Sequence, residues 1–86
     1  MQLKELKPGQ QAILNQIKCD DPGLARRLEA MGFNHGQKIK LLRKAWLNGP
    51  MHIRVGMTTE VAMRRSEAEV LQLIPENEWE QTSQDG

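Results

Sequence analysis

The feature that most constrains the fold is a two-residue hydrophobic repeat in the middle of the chain. Ile39 and Leu41 alternate with lysines, and from Met51 onward every odd position up to Met57 is apolar. Alternate side chains of a strand lie on opposite faces, so these stretches predict half-buried β-strands whose odd positions point inward. The same pattern continues in a further predicted strand over about residues 59–64.

One segment carries the signals of an α-helix, over about residues 22–31. Asp21 is a suitable N-cap residue, a proline follows at the first helical position, and apolar residues recur at the i, i+4, i+7 spacing of one helix face. Gly32 can adopt the left-handed conformation that ends a helix. We expect Phe33 to pack back on Leu28, as in a Schellman motif.

Weaker signals complete the list of elements. A first strand is predicted over about residues 11–18, although its apolar residues do not alternate cleanly, and a last strand around Leu71 and Leu73 ends before Pro75. The S-x-x-E sequence at 66–69 predicts one short helical turn. About five short strands with one helix after the first, in 86 residues, predict a mainly β fold: a single small barrel, since closure leaves no strand edge exposed.

The length of the connection between the second and third predicted strands is constrained by parity, that is, by whether odd-numbered residues of one strand lie opposite odd-numbered residues of the other. Asn48-Gly49 is a common two-residue hairpin turn, but that turn would place each odd residue of one strand opposite an even residue of the other. Opposed residues share a face of the sheet, so the apolar faces would not match. A loop with an odd number of residues or a β-bulge restores the match. We therefore predict a seven-residue loop from Lys44 to Pro50.

This predicted loop contains two large apolar residues, Trp46 and Leu47, among residues that favour turns. Two interpretations remain open. In the first, the loop is a recognition site in which Trp46 and Leu47, with the basic rim of Arg43, Lys44 and Arg54, bind a partner. In the second, Trp46 folds back and covers one end of the barrel, because a small core needs all available cover.

The net charge of +1 conceals an asymmetry along the chain. Residues 1–65 hold all twelve Lys and Arg and five acids, a net +7, whereas residues 66–86 hold six acids and no base. A basic body can attract an anionic partner, or the two charged parts are simply solvated surfaces.

Three aromatic residues are few for a protein that stacks bases, so no nucleic acid is expected. Residues 75–86 are predicted to form an acidic, flexible tail after a domain spanning 1–74.

No catalytic motif is recognisable. The sequence has no glycine-rich phosphate loop and no G-x-S-x-G, and nothing in it places a histidine beside Cys19, so we expect neither enzyme activity nor a cofactor. His35, His52 and Cys19 are weak candidates for metal ligands, because none lies at ligand spacing from another, and the sequence requires no metal. The single cysteine, the lack of a long apolar run and the lack of a signal-peptide pattern predict a cytoplasmic protein.

Six segments of the sequence occur together in one known family. They are L-K-P-G-Q near the start, D-P-G-L-x-x-R-L-x-x-M-G-F at 21–33, G-x-x-I-x-L-L-R-K-A at 36–45, N-G-P-M-H-I-R-V-G at 48–56, E-V-A-M-R at 60–64 and E-A-E-V-L-Q-L at 67–73. Together they resemble the ferrous iron transport protein A (FeoA) family over about residues 3–74. That family usually reads A-P-L where this chain has Ala45-Trp46-Leu47, so the tryptophan adds apolar area to the loop.

The resemblance implies an SH3-like β-barrel and a non-enzymatic accessory role in bacterial ferrous iron uptake. FeoA-like proteins are thought to act with FeoB, a membrane permease whose cytoplasmic part is a G-protein domain, which would be the partner and the only route to the membrane. The same barrel occurs in iron-dependent repressors of the diphtheria-toxin-repressor type. A metal-responsive regulatory barrel, or a basic nucleic-acid-binding barrel, is therefore the alternative, disfavoured because no helix-turn-helix is present.

Overall fold

The computed structural model describes residues 1–79, and its elements follow the sequence prediction closely. In chain order they are a 3₁₀ helix (Leu3–Glu5), β1 (Gln11–Ile17), α1 (Pro22–Ala30), β2 (Lys38–Lys44), β3 (Met51–Val55), β4 (Thr59–Met63), α2 (Arg65–Ala68) and β5 (Leu71–Pro75). Residues 76–79 are also helical. The prediction of a mainly β fold with five strands and a helix after the first strand is confirmed.

All five strands belong to one antiparallel sheet, in the order β4-β3-β2-β1-β5. Within residues 1–79, β4 and β5 are its two edges, so no ladder of hydrogen bonds closes the predicted barrel. The N-terminus covers part of the β5 edge: the amino group of Met1 donates to the Leu73 carbonyl at 2.9 Å, and the Leu73 N–H donates to the Met1 carbonyl at 2.8 Å. The chain thereby satisfies backbone groups that an edge strand would leave free.

The core receives side chains from all eight of these elements. Its buried members are Leu3, Leu6, Ala12, Leu14, Leu28, Phe33, Ile39, Leu41, Met51, Ile53, Val55, Met63, Ala68, Leu71 and Leu73. Ile39 and Leu41 of β2 and the odd positions of β3 lie in this cluster, as the alternation predicts. Met57 does not, and the prediction that it points inward is wrong: it is 91% exposed, because the chain turns at Gly56 before the alternation can continue.

The helix α1 is built from the expected signals. The Asp21 carboxylate accepts N–H groups of the first turn at 2.9 and 3.4 Å. At the other end the Phe33 N–H donates to the Leu28 carbonyl at 3.0 Å, with Gly32 at φ 105°, which is the Schellman arrangement. The helix ends at Ala30, one residue earlier than predicted. Leu28 and Phe33 are both buried, so this turn belongs to the core.

In the pairing of β2 with β3, odd residues lie opposite odd residues as predicted, but a bulge and not an odd-numbered loop produces this register. Ile39 lies opposite Val55, so odd positions face odd positions. The register then shifts at a bulge in β2, and beyond the bulge Lys44 pairs with Met51. The predicted seven-residue loop is therefore wrong. Lys44 belongs to β2, six residues (45–50) connect the strands, and the bulge supplies the extra residue that the parity requires.

The pairing of β1 explains why its apolar residues do not alternate cleanly along the strand. Ala12, Ile13 and Leu14 are buried in succession, and the pairing of β1 with β5 contains a register shift between Leu14 and Gln16. A strand that lies between two neighbours and carries a bulge is not bound to a clean alternation. The predicted turn at 66–69 is α2, which begins at Arg65 instead of after Ser66.

The chain after β5 is folded further than the predicted tail implies. Pro75 is the last residue of β5, where a proline is tolerated because β5 is an edge strand. Residues 76–79 are helical, and Trp79 packs edge-to-face on His35 with ring centroids 5.0 Å apart. The rest of the predicted tail, residues 80–86, lies outside the described part of the chain.

Candidate functional site

The loop between β2 and β3, residues 45–50, ends in a tight turn. The Gly49 N–H donates to the Trp46 carbonyl at 3.0 Å, and a second bond of 3.0 Å joins the first and last residues of the loop. The central residues of the turn, Leu47 and Asn48, have φ values of 52° and 61°. Two consecutive positive φ values are typical of a type I′ hairpin turn. The loop is thus closed by hydrogen bonds at both its base and its end.

Leu47 occupies a backbone conformation that its side chain disfavours. Asparagine visits the left-handed region readily, whereas for a residue such as leucine it costs about 1–2 kcal/mol. Gly49 is constrained differently: a Cβ there would lie 2.7 Å from the Ala45 Cβ and 3.0 Å from the Trp46 carbonyl oxygen. Close backbone packing therefore fixes the turn, and Leu47 is held in it.

The turn carries two large apolar side chains into solvent. Trp46 is 89% exposed and Leu47 is 93% exposed. The interpretation in which Trp46 covers one end of the barrel is therefore wrong. We call Trp46 and Leu47 the apolar tip. Single exposed apolar residues are common on protein surfaces, but two adjacent ones on a strained, closed turn are typical of a surface that binds something.

A cleft of about 410 Å³ lies beside the apolar tip. Its walls come from the turn, the start of β3, the 3₁₀ helix region and α2, through Gln2, Lys4, Asn48, Met51, Arg65, Ala68 and Glu69. The Lys44 ammonium donates to the Lys4 carbonyl at 2.7 Å and ties the end of β2 to one wall. The cleft therefore places amide and charged groups next to the tip, in the way that a polar rim borders the apolar centre of an interface.

The three basic residues predicted to surround the tip do not lie together. Lys44 is opposite the first residue of β3, on the face of the sheet that turns towards the core. Arg43 is exposed and lies opposite His52, next to the loop. Arg54 is near the other end of β3 and forms an ion pair with Glu60 at 3.3 Å. The structure therefore brings Arg43 near the tip, gives Lys44 an anchoring contact, and places Arg54 elsewhere.

Basic side chains instead line the outer face of β2 and β3. Lys40 lies directly opposite Arg54, and opposed residues share a face of the sheet. The burial of β3 alternates along the strand, so its second and fourth residues point away from the core. We define the outer basic face as Lys38, Lys40, Arg43, His52 and Arg54.

The candidate metal ligands are not brought together. The Nδ1 atom of His35 lies 2.6 Å from the Asn15 carbonyl oxygen, and the Cys19 Sγ lies 3.4 Å from the Asp21 backbone N. His52 belongs to the outer basic face. In residues 1–79 no group of three or more His, Cys, Asp or Glu side chains is arranged to hold a metal ion.

Sequence reasoning missed two surface features. The first is the opposition of Lys40 and Arg54, although the odd-with-odd parity already implied that even residues face even ones. The second is the exposed Met57 at the opposite end of β3 from the apolar tip, for which Gly56 was the available signal. Among residues 1–79, no helix is both long enough and apolar enough to span a bilayer.

Comparison with known proteins identifies the family. The FeoA domain model matches residues 1–74. None of the curated proteins matches the chain. Among solved structures, the FeoA protein from Chlorobium tepidum is 34% identical, with a TM-score of 0.79, and the match covers 88% of this chain and 70% of that one.

Two further structures extend the comparison. FeoA from Stenotrophomonas maltophilia, solved with zinc and described as a prokaryotic SH3 domain protein, is 28% identical with a TM-score of 0.74, over 86% of this chain and 89% of that one. A manganese-dependent transcriptional repressor, 16% identical with a TM-score of 0.77 over 87% of this chain and 41% of that one, shares the fold alone. The fold is thus SH3-like, and the chain belongs to the FeoA domain family of small domains associated with ferrous iron transport.

Proposed function

We propose that this protein is a non-enzymatic accessory factor of bacterial ferrous iron uptake, acting in the cytoplasm by docking on the G-protein part of a FeoB-type permease. The observation that carries the proposal is the apolar tip, whose two side chains are about nine-tenths exposed at the end of a closed turn. Membership of the FeoA domain family supports the ferrous iron context.

The tip has the properties of an interface centre. Tryptophan is among the residues most enriched in binding hot spots, where truncation commonly costs about 2 kcal/mol or more. Two hydrogen bonds already hold the turn in one conformation, so little backbone entropy is lost when it binds. The strain at Leu47 is also consistent with a binding role, since such strain clusters at functional sites.

The remaining residues of the proposed set have different roles. Arg43 is exposed next to the loop and supplies a polar contact at the rim of the interface. Lys44 holds the end of β2 against the 3₁₀ helix through its 2.7 Å bond to the Lys4 carbonyl, and so supports the tip. Arg54 lies on the outer basic face, outside the centre of this interface.

The alternative functions have less support. A metal-responsive regulatory barrel draws on the likeness to transcriptional repressors, which at 16% identity shows the fold alone. A barrel that binds single-stranded nucleic acid would need aromatic side chains to stack on bases, and the outer basic face includes no Phe, Tyr or Trp.

The experiment is a pull-down of the permease from bacterial membranes, with and without guanine nucleotides, using the tagged full chain. Trp46→Ala should weaken capture by about tenfold or more, as expected for a hot-spot residue. Met57→Ala is the matched control, since Met57 is equally exposed at the opposite end of β3 and should leave capture unchanged. Both variants should melt at the temperature of the parent protein.

Two outcomes would contradict the proposal. If Trp46→Ala lowered the melting temperature by several degrees, Trp46 would contribute to the core and not to an interface. If capture survived Trp46→Ala, or fell equally with Met57→Ala, the tip would not be the docking site. Failure of the parent chain to capture any permease would contradict the proposed partner itself.

A further inference from the structure

The outer basic face carries an excess of positive charge, although Arg54 forms an ion pair with Glu60. Lys40 and Arg54 lie directly opposite each other across β2 and β3, an arrangement that destabilises a sheet when the charges are alike. Glu60, 3.3 Å from Arg54, is the single acid in the sequences of β2, β3 and β4. The fold therefore accepts repulsion on this face, and an anionic ligand on the face would relieve it.

The charge on this face is concentrated by the topology. Two adjacent strands, β2 and β3, carry Lys38, Lys40, Arg43 and Arg54 outward, whereas six of the eleven acids follow in residues 66–86. Neighbouring positions on one face lie about 5 Å apart across strands and about 7 Å apart along a strand. The result is an extended patch of cations spread over two strands, which matches a surface of anionic headgroups better than one small anion.

We propose that the outer basic face binds the surface of an anionic lipid bilayer and orients the apolar tip along the membrane plane. The strands of a sheet that rests on a bilayer run parallel to the membrane, so a loop at the strand ends points sideways. The proposal rests on the proposed function for its choice of a membrane as the working place. It adds a direct lipid contact to the contact that the permease provides.

The chemistry of the face favours lipid over other anionic partners. Lysine side chains are long and flexible and reach headgroup phosphates as point charges. Each Lys or Arg near an anionic membrane strengthens binding by about fivefold, the equivalent of about 1 kcal/mol. A single-stranded nucleic acid would call for stacking side chains that this face does not include.

The test is co-sedimentation of the purified full chain with vesicles of phosphatidylglycerol and phosphatidylcholine, and with vesicles of phosphatidylcholine alone. The protein should bind the anionic vesicles at low ionic strength, dissociate from them at high salt, and not bind the neutral vesicles. No permease is present, so this result is independent of the pull-down that tests the proposed function.

Matched variants locate the contact. Lys38→Glu with Lys40→Glu should lower vesicle binding at least tenfold, whereas Lys18→Glu with Arg26→Glu, the same change in net charge at two exposed positions off this face, should lower it far less. Lys40→Glu alone should raise the melting temperature, because it places opposite charges across the β2–β3 pair. A loss of vesicle binding in this single variant therefore cannot be ascribed to unfolding. Trp46→Ala should bind vesicles like the parent chain.

Three results would overturn the proposal. The absence of binding to anionic vesicles at low salt would remove the lipid contact. Equal losses in the two double variants would show that net charge, and not this face, governs binding. Loss of binding in Trp46→Ala with retention in Lys38→Glu/Lys40→Glu would show that the tip inserts into the bilayer.

Discussion

Two turns with positive φ angles have opposite relations to the core. At the end of α1, Gly32 has φ 105° and leads directly to Phe33, which is fully buried. At the end of the β2–β3 loop, Leu47 has φ 52° and its side chain is almost fully exposed. The first turn uses the residue that adopts this conformation without cost, whereas the second uses one that does not.

The difference shows what each turn contributes. The α1 turn directs an apolar side chain into the core, so its conformation and its burial support each other. The loop turn combines unfavourable backbone geometry with exposed apolar surface, and neither stabilises the free protein. Strain that folding does not use is typical of a functional position.

The largest effect is expected from removing the core partner of the first turn. Leu28→Ala should lower the free energy of unfolding by about 2–5 kcal/mol, because it leaves a cavity beneath α1 and Phe33. Urea titration measures the change. In a domain this small the loss is a large part of the total stability, so the variant can be partly unfolded. A loss below about 1 kcal/mol would show that α1 is peripheral to the core.

A smaller effect is expected from the glycine of that turn. Gly32→Ala should destabilise by about 1–2 kcal/mol, the cost of the left-handed region for a residue with a Cβ. Sterics add little, since the new Cβ would lie 3.5 Å from the Val55 Cγ1, an ordinary contact. The free energy of unfolding in urea measures it, and an unchanged value would mean that the helix end relaxes to another conformation.

The smallest effect, of opposite sign, is expected at the loop. Leu47→Asn should raise the free energy of unfolding by about 0.5–1 kcal/mol, because asparagine tolerates the left-handed region. Leu47→Ala is the matched control: it removes the apolar side chain, keeps the unfavourable backbone and should leave stability unchanged. Both should weaken capture of the permease. Destabilisation by Leu47→Asn would show that the leucine side chain supports the fold and would remove the contrast between the two turns.

Local signals account for the elements that were predicted correctly. Asp21 and Gly32 bound α1 because a cap and a left-handed glycine act through hydrogen bonds within a few residues. Ile39, Leu41 and the odd positions of β3 reach the core because opposed residues must share a face, and that rule holds for any loop. Ile39 therefore lies opposite Val55 as predicted, even though the loop between the strands has six residues and not seven.

Most of the errors and omissions depend on distant contacts, whereas the exposure of Met57 follows from the nearby turn at Gly56. A bulge and an odd loop satisfy the same parity, and only the pairing of β2 with β3, whose register shifts between Leu41 and Arg43, shows which one is used. The composition of residues 75–86 predicts a flexible tail that includes Trp79, and no local signal reveals its contact with His35, because the two residues are forty-four positions apart. Distance along the sequence predicts that Arg43, Lys44 and Arg54 surround the tip, whereas the pairing of β2 with β3 places Arg54 further from the loop than Arg43.

Short-range periodicity, capping and motif order were enough to place the strands and the helix, to assign the buried side of β3 and to indicate the family. The exposure of Trp46, the opposition of Lys40 and Arg54, and the open edges of the sheet within residues 1–79 are visible only in the folded chain. They could not be read from single segments because exposure and charge opposition are properties of pairs of segments. A loop residue with the same sequence neighbours can either pack on the core or lie in solvent. For Trp46, the hydrogen-bonded turn of the β2–β3 loop places the side chain in solvent.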